Sequence, residues 1–154
     1  LESKVMNQLE AVQYTRCLAF LGILDKPSVL SDPGTLTHPV PDIDWISDNQ
    51  LKGISEIPAC TVHAANDYSQ KFWDSPQEGG PYLVKVAEEC LQAKITEWSC
   101  HRWGFAKPLV TFGANQYISA WDRLSLAGDS FGGERIENAA MSGWDAAQAI
   151  LDME

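Results

Sequence analysis

The chain has 154 residues, long enough for a domain with a substantial core, and 45% of them are apolar, which excludes global disorder. Its 11 basic and 21 acidic side chains give a formal charge of −10, which opposes binding to nucleic-acid phosphates or an anionic membrane. No apolar run reaches the length of a membrane span and no signal peptide is visible; a cytoplasmic setting is expected, unless a plastid or other targeting segment is lost with a missing N-terminus.

From Leu1 to about Glu10, the spacing of Val5, Leu9 and Val12 predicts a helix. Tyr14 to Leu24 reads as one long strand. Its Cys17-to-Leu24 portion is so apolar that both faces are expected to be covered and the strand central. Pro27, Pro33, Gly34, Pro39 and Pro41 mark Lys26 to Pro41 as loop, with a short edge strand near Thr35 to Thr37 and His38 as a surface residue. Ile43 to Ser47 is the next strand, closed by a turn at Asp48-Asn49. Ala59 to Ala65 is a third. His63 at its centre either faces a substrate or is hydrogen-bonded within the sheet.

Asn66 or Asp67 then caps a short helix, and Asp67-Tyr-Ser-Gln70 fits a capping box. Phe72 and Trp73 anchor that helix. Ser75 to Gly80 is expected to be loop, with the longest interior helix running from Pro81 or Tyr82 to about Ala93 and burying Val86, Cys90 and Leu91. Ile95 to Phe105 reads as a strand in which Trp98, Cys100 and Arg102 alternate with Glu97, Ser99, His101 and Trp103, and Lys107-Pro108 stops it. Thr111 to Tyr117 is a Gly- and Asn-containing connector. Strands in succession with helices grouped between them predict an α+β fold with a mostly antiparallel sheet and helices packed against it.

The four cysteines show no zinc-ligand spacing. Cys60 and His63 point to opposite faces of one strand, as do Cys100 and His101, while Cys17 and Cys90 lie inside apolar patterns. Free thiols in a reducing compartment and no metal site are the expectation.

The end of the chain is the most informative stretch. Leu124, Leu126 and Ala127 form a strand too apolar to be solvated on either face. Gly128-Asp129 breaks it, and Gly132-Gly133 permits backbone angles closed to other residues. From about Glu134, Ala139, Gly143, Ala146 and Ile150 recur at helical spacing. Gly143 inside that helix costs roughly 1 kcal/mol relative to Ala, so close approach of the helix to a sheet or a ligand is expected. A helix start after a flexible turn suits a partial negative charge, and Asp129 suits hydroxyl groups. A polyol joined to an electron-rich ring matches both.

This strand, turn and Arg135-Ile136-Glu137-Asn138-Ala-Ala-Met-Ser-Gly143 run resembles the C-terminal flavin-binding motif of FAD-dependent, amine-oxidase-like oxidoreductases, nearest to the renalase-like branch. Ala11 to Ala19, Trp45 to Gly53 and His101 to Pro108 extend the resemblance across most of the chain. It implies a substrate-binding lobe over residues 1–122, then a strand and helix over 123–154 that complete an FAD-binding domain. The G-x-G-x-x-G that cradles the FAD pyrophosphate in that family is not made by any of the 11 glycines, so an N-terminal dinucleotide-binding lobe is expected outside this sequence.

The implied reaction is hydride transfer to FAD from a small reduced substrate, an aberrant dihydro-NAD(P) isomer or an amine, with reoxidation by oxygen or another acceptor. The implied cofactor-binding residues are Gly128, Asp129, Gly132, Gly133, Arg135, Ile136 and Glu137. Asp129 would hold the ribityl chain, and backbone N–H groups around Arg135 to Glu137 would stabilise charge near N1 and C2=O of the ring. Trp103 and Lys107 are the implied flavin-face residues, against the plainer alternative of a packed Trp and a solvated Lys.

Three other readings compete. One is a non-catalytic binding module on a flavoprotein-derived frame. Another is a protoporphyrinogen-oxidase- or desaturase-like flavoprotein, whose large apolar substrates require a channel that this loop-rich lobe does not advertise. The third is a serine protease, since Gly128-Asp129-Ser130 resembles a nucleophile loop, but an Ala-rich helix follows at once and the chain is short for two barrels.

Overall fold

The computed structural model describes residues 1–152. In chain order these form α1 (Ser3–Glu10), β1 (Gln13–Tyr14), β2 (Cys17–Leu24), β3 (Thr35–Val40), β4 (Ile43–Asp48), β5 (Ala59–Ala64), α2 (Asn66–Lys71), α3 (Pro76–Leu91), β6 (Ile95–Trp103), β7 (Pro108–Val110), β8 (Tyr117–Ser119), β9 (Leu124–Leu126), α4 (Asp129–Gly132) and α5 (Ile136–Leu151). The fold is α+β, with a five-stranded antiparallel sheet as its largest layer. Two compact units share the chain, Arg16 to Gly104 in one, and Leu1 to Thr15 with the chain from Phe105 onward in the other.

In the Arg16–Gly104 unit the strand order is β3-β4-β5-β2-β6. β2 is an interior strand, paired with β5 on one side and β6 on the other. Its even-numbered residues Leu18, Phe20 and Leu24 are buried against the helices, together with Ile43 and Ile46 of β4 and Cys60, Val62 and Ala64 of β5. From α3, Leu83, Ala87 and Leu91 meet them, spaced four apart so that one helical stripe covers the sheet. Gly22 interrupts the β2 row because a Cβ there would stand 3.0 Å from Ile95 Cγ2 and 3.1 Å from Cys60 Sγ. Ser69 of α2 is fully buried and ties that helix to the sheet. Its hydroxyl accepts from Leu18 N–H at 2.9 Å and donates to Ala64 O at 3.3 Å.

The second unit has a smaller core. Val5 of α1, Phe112 and Phe131 are buried together, with Leu9, Val12, Tyr117 and Leu126 packed around them. Two short antiparallel pairs, β1 with β7 and β8 with β9, frame it.

Several sequence expectations need correction. Tyr14 to Leu24 is two strands, because Thr15 turns to pair with Lys107 (Thr15 N to Lys107 O 2.8 Å) while β2 pairs with β5 and β6. The covered-on-both-faces reading of β2 holds for one face and only in part for the other, where Ala19 is buried but Leu21 and Ile23 are exposed. β3 extends through Val40. It accommodates Pro39 as an edge strand, with a register shift at His38, whose φ is 47°.

The expected loop at Ser75 to Gly80 is instead the opening of α3. Pro76 takes its first position, where a missing N–H is harmless. Gly79 and Gly80 serve packing there rather than a turn. A Cβ at Gly79 would stand 2.8 Å from Phe72 Cγ, and one at Gly80 would collide with the Trp98 ring. Leu124 to Leu126 is half-buried in a hairpin with β8, and the turn after it holds the short α4.

Candidate functional site

The terminal segment is built from the bottom of that hairpin. Gly128 (φ 137°) and Gly133 (φ 106°) bracket α4 at angles that side-chain-bearing residues rarely adopt, so both glycines are required by the turn itself. Within the turn, Gly132 N donates to Gly128 O at 2.9 Å and Gly133 N to Asp129 O at 2.8 Å. Phe131 anchors the turn from inside, its ring 4.8 Å from that of Phe112. Phe112 N also donates to Ser130 O at 2.8 Å.

Gly132 rests directly on the first turn of α5, since a Cβ there would collide with the Asn138 carbonyl. The helix itself starts at Ile136, two residues later than its sequence spacing suggests, because Arg135 is extended (φ −101°, ψ 148°). Ser142 then clamps helix to turn. Fully buried, it accepts from Gly128 N at 2.9 Å and donates to Asn115 O.

Asp129 is half-buried, and its Oδ1 accepts a 2.8 Å bond from the Tyr14 hydroxyl. Burial first, and the Asp129 bond second, raise the Tyr14 phenol above its ordinary pKa. Arg135, Ile136 and Glu137 are all exposed, and no side chain caps the helix start. The N–H groups of a helix's first turn lack partners within the helix, so this end presents donors and the positive end of the dipole to whatever lies before it.

The residues singled out from sequence therefore sort into two places. Gly128, Asp129, Gly132, Gly133, Arg135, Ile136 and Glu137 gather at the turn and the start of α5. Lys107 is in the same unit, where its N–H donates to Thr15 Oγ1 at 3.1 Å. Trp103 belongs to the other unit, at the end of β6, with its ring 4.7 Å from His101. Gly143 departs from expectation: a Cβ there would meet nothing within 4 Å, so no close approach in this chain accounts for it.

Tyr14 and Ser142 were missed as site-building residues. Tyr14 lies 115 residues from Asp129 in sequence, and no local pattern announces such a pair. Ser130 belongs to one unit, and His38, His63 and His101 to the other. Among the described residues no three His, Cys, Asp or Glu side chains gather to hold a metal, and no helix is long and apolar enough to cross a membrane. None of the four cysteines forms a disulfide. No family model matches this chain, and no curated protein matches it.

Proposed function

We propose that the chain carries the substrate lobe and terminal flavin-contacting segment of an FAD-dependent oxidoreductase, renalase-like in kind and acting in a reducing compartment such as the cytoplasm. The observation that carries this reading is the start of α5, an uncapped, exposed helix end of 16 residues placed just after a glycine-bracketed turn that presents Asp129. A flavin's pyrimidine edge is electron-rich and its ribityl chain is a polyol, so the two features fit the two parts of one ligand. Asp129 keeps capacity for a hydroxyl, because the Tyr14 bond occupies Oδ1 and a carboxylate accepts at both oxygens.

FAD, when bound, supplies the hydride-accepting ring. The chain's own contribution is positional and electrostatic. Asp129 holds ribityl hydroxyls, with Tyr14 fixing the carboxylate's orientation. Backbone N–H groups around Arg135 to Glu137 favour negative charge at the ring edge. Gly128, Gly132 and Gly133 let backbone come close where side chains would intrude. Trp103 and Lys107 remain ring-facing candidates by resemblance alone. The substrate is a small reduced molecule, and a dinucleotide-binding lobe bearing G-x-G-x-x-G completes the cofactor site.

The antiparallel pairing of β9 with β8 favours the second reading, a binding module on a flavoprotein-derived frame, because a dinucleotide-binding lobe is built on a parallel sheet. A visible absorption spectrum after adding FAD, recorded for this chain and for any longer reading frame that contains it, separates the two. Bound-flavin bands support the oxidoreductase. Colourless protein in both preparations leaves the binding module.

A further inference from the structure

A cavity of about 590 Å³ lies between the β8–β9 hairpin and the last turns of α5. One helix stripe explains its position. Ser142, Ala146 and Ile150 recur every four residues and so share a face of α5. The first two are buried, at 1% and 5% exposure, whereas Ile150 is 44% exposed because the cavity opens in front of it. From the hairpin, Ile118, Ala120 and Leu124 line the same space. The volume falls within the range of small-molecule sites, about 300–1,000 Å³. Its described walls are aliphatic, with no aromatic ring to stack on a flat ligand.

Two polar side chains also line the cavity, and the fold makes no use of either. The Arg123 guanidinium and the Ser125 hydroxyl have no hydrogen bond or ion pair to another described residue. Ser119, the remaining polar group, is engaged within the turn, where its Oγ donates to Asp122 Oδ2 at 2.7 Å.

Arg123 is an unusual residue for its place. It ends the hairpin loop in left-handed backbone, φ 48°, where turn chemistry selects Gly or Asn. An arginine there strains the loop and repairs no contact within the chain. Strain of this kind collects where a side chain acts on a ligand.

No described lining residue is acidic, so Arg123 sets the sign of the ligand's charge. A guanidinium presents two parallel N–H donors to a carboxylate, and the Ser125 hydroxyl adds another donor. We propose that this cavity binds a monocarboxylate with a saturated aliphatic body of medium length. The carboxylate sits on Arg123 and Ser125, and the hydrocarbon lies against Ile118, Leu124 and Ile150. All of these residues belong to one unit. Ile150 is about 21 Å along α5 from Ile136 by the helical rise, so the site is separate from the terminal turn and does not depend on the flavin reading.

Methyl NMR tests it, with octanoate as the probe and 1-octanol as its uncharged counterpart. The expected result is saturable movement of the Ile118 and Ile150 signals with octanoate. Ile43 and Ile46, in the core of the other unit, and Ile136, exposed at the opposite end of α5, should stay put. Octanol should bind at least about tenfold more weakly, the order for loss of a charged hydrogen bond. Arg123→Gly separates binding from folding, because glycine relieves the left-handed backbone. Its urea midpoint should equal or exceed the parent's while octanoate affinity falls about tenfold or more. Arg123→Asn, which also tolerates this backbone, should behave alike. Octanol matching octanoate, unchanged affinity in a folded variant, Ile136 moving as far as Ile150, or a response that never saturates overturns the site. Affinity lost together with a lower urea midpoint in both variants marks Arg123 as structural and overturns it as well.

Discussion

Gly80 and Gly143 both sit inside helices, yet their surroundings differ in kind. Gly80 is hemmed in by the Trp98 ring, so Gly80→Ala should destabilise by about 1–3 kcal/mol through overpacking. Gly143 has open space, so Gly143→Ala should stabilise the chain by up to about 1 kcal/mol through helix propensity. Urea melts of the two variants beside the parent check both signs. In the sequence, Gly143 falls inside an expected helix, whereas Ser75 to Gly80 reads as loop with the helix opening only at Pro81 or Tyr82. Only the approach of Phe72 and Trp98, set by tertiary packing, explains why a helix runs through it.

Titration adds a second residue-scale expectation. The Tyr14 phenol is raised above 10 in the folded chain, by burial and by its bond to Asp129. A group raised on folding stabilises fully below its unfolded pKa, and the contribution is lost as pH climbs through the folded value. Stability should therefore fall above pH 10, and less steeply in Tyr14→Phe. Tyr68 and Tyr82 are raised too, so the difference between parent and variant is the quantity to measure in alkaline unfolding curves. Burial likewise pushes the Cys60 and Cys100 thiols up to about 11. Both remain protonated at pH 8, and iodoacetamide should leave them unmodified in the folded chain for as long as it alkylates an unstructured cysteine peptide.

At the scale of elements, the buried Ser142 hydroxyl ties the terminal turn to α5. Ser142→Ala removes the acceptor for Gly128 N–H and the donor to Asn115 O, and should cost about 1–3 kcal/mol. Hydrogen exchange at Gly128 should accelerate in the variant more than at Leu18, whose N–H is held by Ser69 in the other unit. The elements themselves were largely legible in the sequence. β2, β4, β5 and β6 followed from apolar runs and alternation, and α1 and α5 from their helical spacing. What sequence did not reveal was where a run breaks. The split between β1 and β2 depends on pairing to Lys107, 92 residues away from Thr15, and the length of β3 depends on a bulge that makes room for Pro39.

For the whole molecule, the sheet and its helices bury a continuous apolar core, whereas α5 carries exposed apolar side chains. Ile136 is 88% exposed, and Met141, Trp144 and Leu151 are exposed as well. Larger exposed apolar surfaces mark interaction sites, and a dinucleotide-binding lobe is the cover that the proposed function calls for. The candidate site was only partly readable beforehand: the glycine turn and helix start stood out as a motif, while Tyr14 and Ser142, which orient and clamp it, are distant in sequence.

The most direct test of the central claim is a fluorescence titration of riboflavin, which has the ring and ribityl chain without the pyrophosphate, against this chain and its Asp129→Ala variant. The account predicts saturable quenching of flavin emission, weakened about tenfold or more in the variant, as expected for loss of a hydrogen bond to a charged group worth about 1.5–3 kcal/mol. Quenching that never saturates, or that is identical in folded Asp129→Ala, would contradict it.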